Sequence, residues 1–337
     1  MKAVLCKEFG PPESLVVEEI ASPEPQAGEV VIEVHSAAVN FPDVLIIQNK
    51  YQFKPPLPFS PGGEIAGIVT KLGDGVTHLK TGDRVLAACG HGGYAEEVAV
   101  PGMSCIPVPD AMDLETASAF LMTYGTSHYA LKDRAHIQPG ETLLVMGAAG
   151  GVGLAAVELG KAMGAKVIAA ASSQEKLDIC VEHGADATIL YPTGELTRDQ
   201  QRAFSDEIKA ATDGHGADVV YDPIGGDYAE PALRATNWEG RYLVIGFASG
   251  PIPHIPLNLA LLKSCQIVGV FWGAFTGRDP KGNAANIADL MALYKDGKIA
   301  PRISNRYPLE KAADALNEMA NRQVKGKVII TTGKSEG

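Results

Sequence analysis

At 337 residues the chain is long enough for about two domains with sizeable cores. Hydrophobic residues make up 46% and charged residues 20%, ordinary for a soluble α/β protein, and a net charge of -11 with no dense Lys/Arg cluster argues against a nucleic-acid partner. The start, MKAVLCKEF, runs into strand-like alternation rather than an apolar signal segment. The longest apolar run, Leu143 to Val157, is too short and glycine-rich to span a bilayer, so a cytoplasmic protein with no membrane partner is expected.

Five cysteines without C-x-x-C spacing read as reduced thiols. Eight scattered histidines, with no H-E-x-x-H, give no zinc site of the usual ligand spacing, so no metal is expected.

Residues 1 to about 122 are rich in β-branched runs, glycine and proline. Val30 to Val34 and Ile65 to Val69 alternate, and Asp74-Gly75 and Gly82-Asp83 mark turns, which predicts short strands in a small barrel or sandwich. Within Ala38 to Tyr51, Asn40, Asp43 and Tyr51 are polar groups in or beside an apolar segment. Asn and Asp also favour helix caps, and Tyr51 reads equally well as a tyrosine at a core edge. Pro58 to Glu64 is a rigid proline–glycine turn into a strand, and His91 reads as a loop histidine. Leu114 to Leu131 has helix-forming composition, with Thr123, Tyr124 and Thr126 near its middle.

Thr142 to Ala170 is the stretch around which the rest is arranged. Leu143 to Met146 reads as a buried parallel strand, Gly147 to Gly153 as a glycine turn, and Leu154 to Met163 as a helix ended by Gly164. Lys166 to Ala170 is a second buried strand, completing a βαβ unit. Gly150 leaves the backbone open to a pyrophosphate at the helix N-terminus, and Gly153 allows close helix–strand packing. The first glycine of the G-x-G-x-x-G fingerprint is Ala148 here. A glycine-rich strand–helix turn without a ligand is the plainer alternative. The second strand ends in Ala170-Ala171-Ser172-Ser173, with no acid to hold a ribose 2′-hydroxyl, and Lys176 follows. Two hydroxyls and a cation suit a 2′-phosphate, which favours NADPH, although Lys176 also reads as a solvated helix lysine.

Helix 174–183, strand 187–190, helix 199–212, strand 217–222, helix 228–235 and strand 241–246 complete a doubly wound parallel sheet. Tyr191 and Phe247 fall at strand ends, where a ligand or ordinary packing would use them. An apolar helix at 257–262, an apolar strand at 267–271, a helix at 285–295, a final amphipathic helix and a strand at 327–331 follow.

These pieces together resemble the medium-chain dehydrogenase/reductase superfamily, in its zinc-free quinone oxidoreductase (zeta-crystallin-like) branch. The matching motifs are Ala38 to Asp43, Pro61 to Glu64, Gly82 to Val85, Gly92 to Glu96 and Ala148 to Gly153, with Lys176, Tyr191 and Val219 to Asp222. The resemblance implies an α/β chain: a GroES-like β-barrel catalytic domain over 1–122, a Rossmann NADPH-binding domain over 123–263, and a return to the catalytic domain over 264–337. Zinc-dependent members carry Cys near Asn40, His at Gly63 and a cysteine lobe near Cys89 to Cys105, none of which matches here. Without a Lewis acid, alcohol oxidation is disfavoured and an easier hydride acceptor is implied.

The resemblance therefore implies an NADPH-dependent oxidoreductase passing hydride to quinones or related conjugated carbonyls. The alternatives are a 2-enoyl-CoA or enone reductase and an NADPH-binding, crystallin-like protein with little catalysis. Asn40, Asp43 and Tyr51 are its implied catalytic residues, Tyr51 resembling the proton-donating tyrosine of enoyl-thioester reductases. Its implied cofactor residues are Asn40, Thr126, Ala149, Gly150, Gly151, Val152, Ser172, Lys176, Tyr191, Phe247, Phe271 and Trp272. A homodimer pairing the apolar strand Ile267 to Phe271 is also implied; burial of that strand within its own chain is the alternative.

Overall fold

A computed structural model of the chain describes residues 1–334. They fall into two compact units, Met1–Met122 with the segment from Pro301 onward, and Thr123–Ala300.

The first unit is built on the strand Glu29–Val39, which is buried along nearly its whole length. On one side it pairs antiparallel with Glu64–Leu72. On the other, Glu97–Pro101 pairs with its first half and Lys327–Thr331 with its second. Register shifts at Val31/Ile32 and Val34/Ser36 bulge the strand, which bends and twists a sheet. The sheet continues through Arg84–Ala88 to Cys105–Pro107 at one edge and ends at Ile303–Pro308 on the other. The expected alternation of Val30 to Val34 is not realised, because both faces of this strand are covered. Ile32, Val34, Ile65, Val85 and Tyr94 share the main core, while Ala38 packs with Ala119 and Ile329.

In the second unit six strands run parallel, in the order Ala187–Leu190, Lys166–Ala171, Thr142–Met146, Ala217–Asp222, Thr236–Val244 and Gln266–Gly269. Strands buried on both faces need continuous apolar runs, and Leu143 to Met146 are wholly buried. The chain winds outward one way from Thr142–Met146, then returns beside it to wind the other way. That reversal makes the switch point beyond the C-terminal strand ends the place for a ligand. The helix Gly151–Ala162 covers the sheet and stops at Gly164, whose φ of +83° suits glycine.

Two expectations are corrected. The return to the first unit comes at Pro301 rather than 264, because Gln266–Gly269 is a sixth parallel strand and Trp272–Arg278 and Pro280–Lys295 stay with it. The helix expected over 114–131 is broken. Leu114–Ser118 is a short α-helix capped by Asp113, followed by widened π-type turns over Leu121–Gly125 and Tyr129–Arg134. Gly125 lies so close to the Trp272 ring that a Cβ would sit 2.7 Å from it, a contact that composition does not reveal.

Candidate active site

In the first unit the short helix Phe41–Ile46 starts directly after Glu29–Val39, so Asn40 stands at the junction. Asp43 fixes that junction. Its Oδ2 accepts the Asn40 backbone N–H at 2.8 Å and the Tyr94 hydroxyl at 3.0 Å, and its Oδ1 accepts the Gly63 N–H at 3.2 Å. The neighbouring Gly62 has φ +90°, and a Cβ there would lie 2.4 Å from the Tyr94 ring, so only glycine lets Tyr94 reach Asp43.

The Asn40 side chain is not used as a cap. Its Nδ2 donates to Glu64 Oε2 at 3.0 Å, and its Oδ1 accepts from Lys327 Nζ at 2.6 Å. Lys327 Nζ also donates to Glu64 Oε2 at 3.1 Å, and the Met122 N–H donates to Glu64 Oε1 at 2.8 Å. Asn40, Glu64 and Lys327 are 6%, 1% and 3% exposed, so this is a buried, hydrogen-bonded ion pair rather than a surface one. Lys327 escapes a sequence reading, because a lysine heading the apolar run Val328 to Ile330 looks like a strand-end surface charge. The antiparallel register of Val328 with Val39 carries it in beside Asn40.

Burial pushes the Asp43 carboxyl up to about 6, opposed by its hydrogen bonds from Asn40 and Tyr94 and by the Lys327 charge. Tyr51 is partly buried against the same core, and burial raises its phenol, with the charge of Asp43 adding to the effect. The Cys89 thiol, pushed up to about 12 by burial and by Asp43, is not a nucleophile at neutral pH.

In the second unit the parallel strands bring most of the remaining residues to one sheet edge. Gly150 is the N-cap of Gly151–Ala162, and no side chain caps it, so the first-turn N–H groups are left for a ligand. The two key glycines differ. A Cβ at Gly153 would lie 2.4 Å from Gly147 O and 2.8 Å from Ala148 Cα, whereas at Gly150 it would meet only Gly147 O, at 3.4 Å. The first turn is held from behind: Ser127 Oγ donates to the Val152 carbonyl at 2.9 Å and, its proton spent, accepts from the Tyr221 hydroxyl at 2.8 Å. At the next strand end Ser173, not Ser172, caps the helix Gln174–Glu182, accepting the Lys176 N–H at 3.4 Å. Ser172 and the Lys176 side chain stay partly exposed there. On the other side of the switch point Asp222 is buried and holds its turn, accepting the Ile224 and Gly225 N–H groups at 2.7 and 2.9 Å and the Tyr242 hydroxyl.

This edge fits a ligand with a pyrophosphate and a further phosphate: first-turn amides at a helix N-terminus that no side chain caps, with Ser172 and Lys176 at the next strand end. Thr126, Gly150, Gly151, Val152 and Phe247 are partly exposed, Phe271 is 57% exposed, and Ala149 is buried beneath the turn. Tyr191 and Trp272 are placed as packing residues. The Tyr191 ring lies 5.0 Å from Tyr228 and 5.8 Å from Phe204, and Trp272 is 6% exposed against Gly125.

Two family models match, one described as the alcohol dehydrogenase GroES-like domain over residues 26–110 and one as zinc-binding dehydrogenase over residues 151–291. The chain is 43% identical over 335 residues to the quinone oxidoreductase-like protein 2 homolog of Nematostella vectensis, covering 98% of this chain and 89% of that protein. The chain is a medium-chain dehydrogenase/reductase of the quinone oxidoreductase branch. It is accordingly an oxidoreductase, with a GroES-like domain in the first unit and a Rossmann-type domain in the second. Among solved structures it is similar to the quinone oxidoreductase of Escherichia coli complexed with NADPH, with a TM-score of 0.89 and 28% identity, covering 98% of this chain and 100% of that one. A mycobacterial protein complexed with NADPH gives a TM-score of 0.91 and 30% identity, covering 98% of this chain and 100% of that one. One model's description names zinc, yet among the described residues no group of three or more His, Cys, Asp or Glu side chains is placed to hold a metal ion. No helix among them is long and apolar enough to cross a membrane.

Proposed function

We propose that the chain is an NADPH-dependent reductase of quinones or related conjugated carbonyls. The observation that carries this is the serine–lysine end of Lys166–Ala171 beside the uncapped helix Gly151–Ala162. Two relatives of similar structure are known as complexes with NADPH, which supports the same cofactor here. The backbone of Ala149 to Val152 would hold the pyrophosphate, Ser172 and Lys176 the 2′-phosphate, and Thr126, Phe247 and Phe271 the nicotinamide end. When bound, NADPH supplies the hydride.

The chain's own residues then serve the acceptor. Hydride delivery to a quinone or an enone leaves negative charge on the acceptor's carbonyl oxygen, and N–H donors held in a dry site stabilise it. Asn40 has one Nδ2 hydrogen left after its bond to Glu64. Asp43 keeps Asn40 in place through the backbone. A proton completes the reduction. The partly buried Tyr51 phenol beside Asp43 favours the second reading, an enone or 2-enoyl-thioester reductase, because those substrates need a placed proton donor. The test is a fluorescence titration of NADPH and NADH: tighter NADPH binding is expected, and equal affinities would overturn the cofactor assignment.

We further propose a homodimer formed along the edge strand Gln266–Gly269. Ile267 is 38% exposed and Leu261, Leu262 and Phe271 are 78%, 64% and 57% exposed, an apolar edge that a soluble chain covers.

A further inference from the structure

The ion pair of Lys327 and Glu64 behind Asn40 is a costly feature, since burying two charges contributes little net stability. What it does fix is direction. An ammonium has three donors and no acceptor, so the Asn40 atom 2.6 Å from Lys327 Nζ must be the carbonyl oxygen. Flipping the carboxamide would set two donors against each other there and would turn the oxygen toward Glu64 Oε2, which accepts from Nδ2 at 3.0 Å. Lys327 and Glu64 thus exclude the flipped state from both ends. The second Nδ2 hydrogen has no acceptor among the described residues.

We propose that Lys327 is a positioning residue for the reduction, locking the Asn40 carboxamide so that it presents an N–H, never its oxygen, to the substrate's carbonyl oxygen. This rests on the reductase reading. The ligand class follows from it: an acceptor whose oxygen gains charge, a quinone or a conjugated carbonyl, rather than a donor group such as an alcohol. A flipped Asn40 would place a second oxygen against the developing oxyanion, so a mixed population of the two orientations lowers the rate without loosening binding elsewhere.

Lys327→Met alone leaves Glu64 buried without a counter-charge, so the test uses Lys327→Met with Glu64→Gln, which removes both charges and keeps the volumes. Three readouts are taken: kcat and KM with a quinone and an enone, NADPH affinity by fluorescence, and the Asn40 side-chain amide by 15N NMR in cofactor-free protein, assigned by its loss in Asn40→Asp. In the wild type the amide pair is expected as one sharp, slowly exchanging signal. In the double variant that signal is expected to broaden or split. NADPH affinity and KM should stay within about threefold, and kcat should fall about 10- to 100-fold, below the cost of losing an oxyanion donor outright. Where the double variant does not fold, Lys327→Leu with Glu64→Gln, which also removes both charges and leaves no donor at position 327, is measured with the same expectations. A single unchanged amide signal, or kcat within about twofold of wild type, overturns the positioning role. Wild type that turns over no quinone or enone is a different failure: it removes the reductase reading, while the NMR arm still decides whether Lys327 sets the orientation of Asn40.

Discussion

The two glycines of the turn after Thr142–Met146 separate packing from ligand binding, and alanine substitutions should tell them apart. At Gly153 a Cβ would lie 2.4 Å from one backbone atom and 2.8 Å from another, about 1 Å inside ordinary contact, and neither neighbour is a side chain that can swing away. The helix Gly151–Ala162 must lift from the turn. Overpacking of this kind costs about 1–3 kcal/mol, a fall of about 2–12 °C in Tm at about 2–4 °C per kcal/mol for a unit of this size. At Gly150 the added carbon meets one atom at 3.4 Å, and φ −78° with ψ 167° is open to alanine. Gly150→Ala should therefore melt within about 2 °C of wild type. Its methyl stands where phosphate oxygens would approach the first-turn amides, so NADPH affinity should fall about tenfold, or about 1.4 kcal/mol. Differential scanning calorimetry and fluorescence titration read the two effects. A Gly153→Ala protein as stable as wild type, or a Gly150→Ala protein with undiminished NADPH affinity, would refute the division of roles.

Lys176→Ala should weaken NADPH binding about tenfold or more, the worth of a charge-assisted hydrogen bond, and leave NADH unchanged; an equal loss for both would place Lys176 elsewhere on the cofactor. Asp43, faced by Tyr94, Lys327, Glu64, Tyr51 and Cys89, is held near 6 in the folded chain against the usual 3.8. The native state therefore keeps its proton across that window while the unfolded chain loses it, so stability falls by about 3 kcal/mol as pH rises through it. Asp43→Asn removes this slope but leaves one oxygen for three donors. Its stability deficit in urea titrations should therefore be largest near pH 4 and narrow toward pH 7; a deficit that grows with pH would contradict the assignment. Ile267→Lys should convert a dimer to a monomer by light scattering, and a wild-type monomer at working concentration would sink the edge-strand interface.

Much of the second unit was legible from Thr142 to Asp222, because each buried parallel strand is an unbroken apolar run and each turn carries its glycine or cap. What escaped was non-local. The strand Gln266–Gly269 was legible as a strand, but nothing in its own residues says that Thr236–Val244 is its partner, so the return was expected too early. Tyr191 sits one residue beyond a strand, where a ligand or ordinary packing would use it, and its ring neighbours Phe204 and Tyr228 are set by the fold and not by its own sequence. In the first unit Asn40 and Asp43 stand out by residue type and setting, whereas Lys327 is nearly three hundred residues from Asn40, and only strand pairing brings it there.

The central claim is reduction of a conjugated carbonyl with NADPH. The most direct test is the loss of NADPH absorbance with a quinone and with crotonyl-CoA in parallel, for wild type and Tyr51→Phe. Consumption of NADPH with the quinone, little changed in Tyr51→Phe, is the expected result. Turnover of the thioester alone, abolished in Tyr51→Phe, would move the enzyme to the enoyl reductases, and NADPH bound but not consumed with either acceptor would contradict the claim.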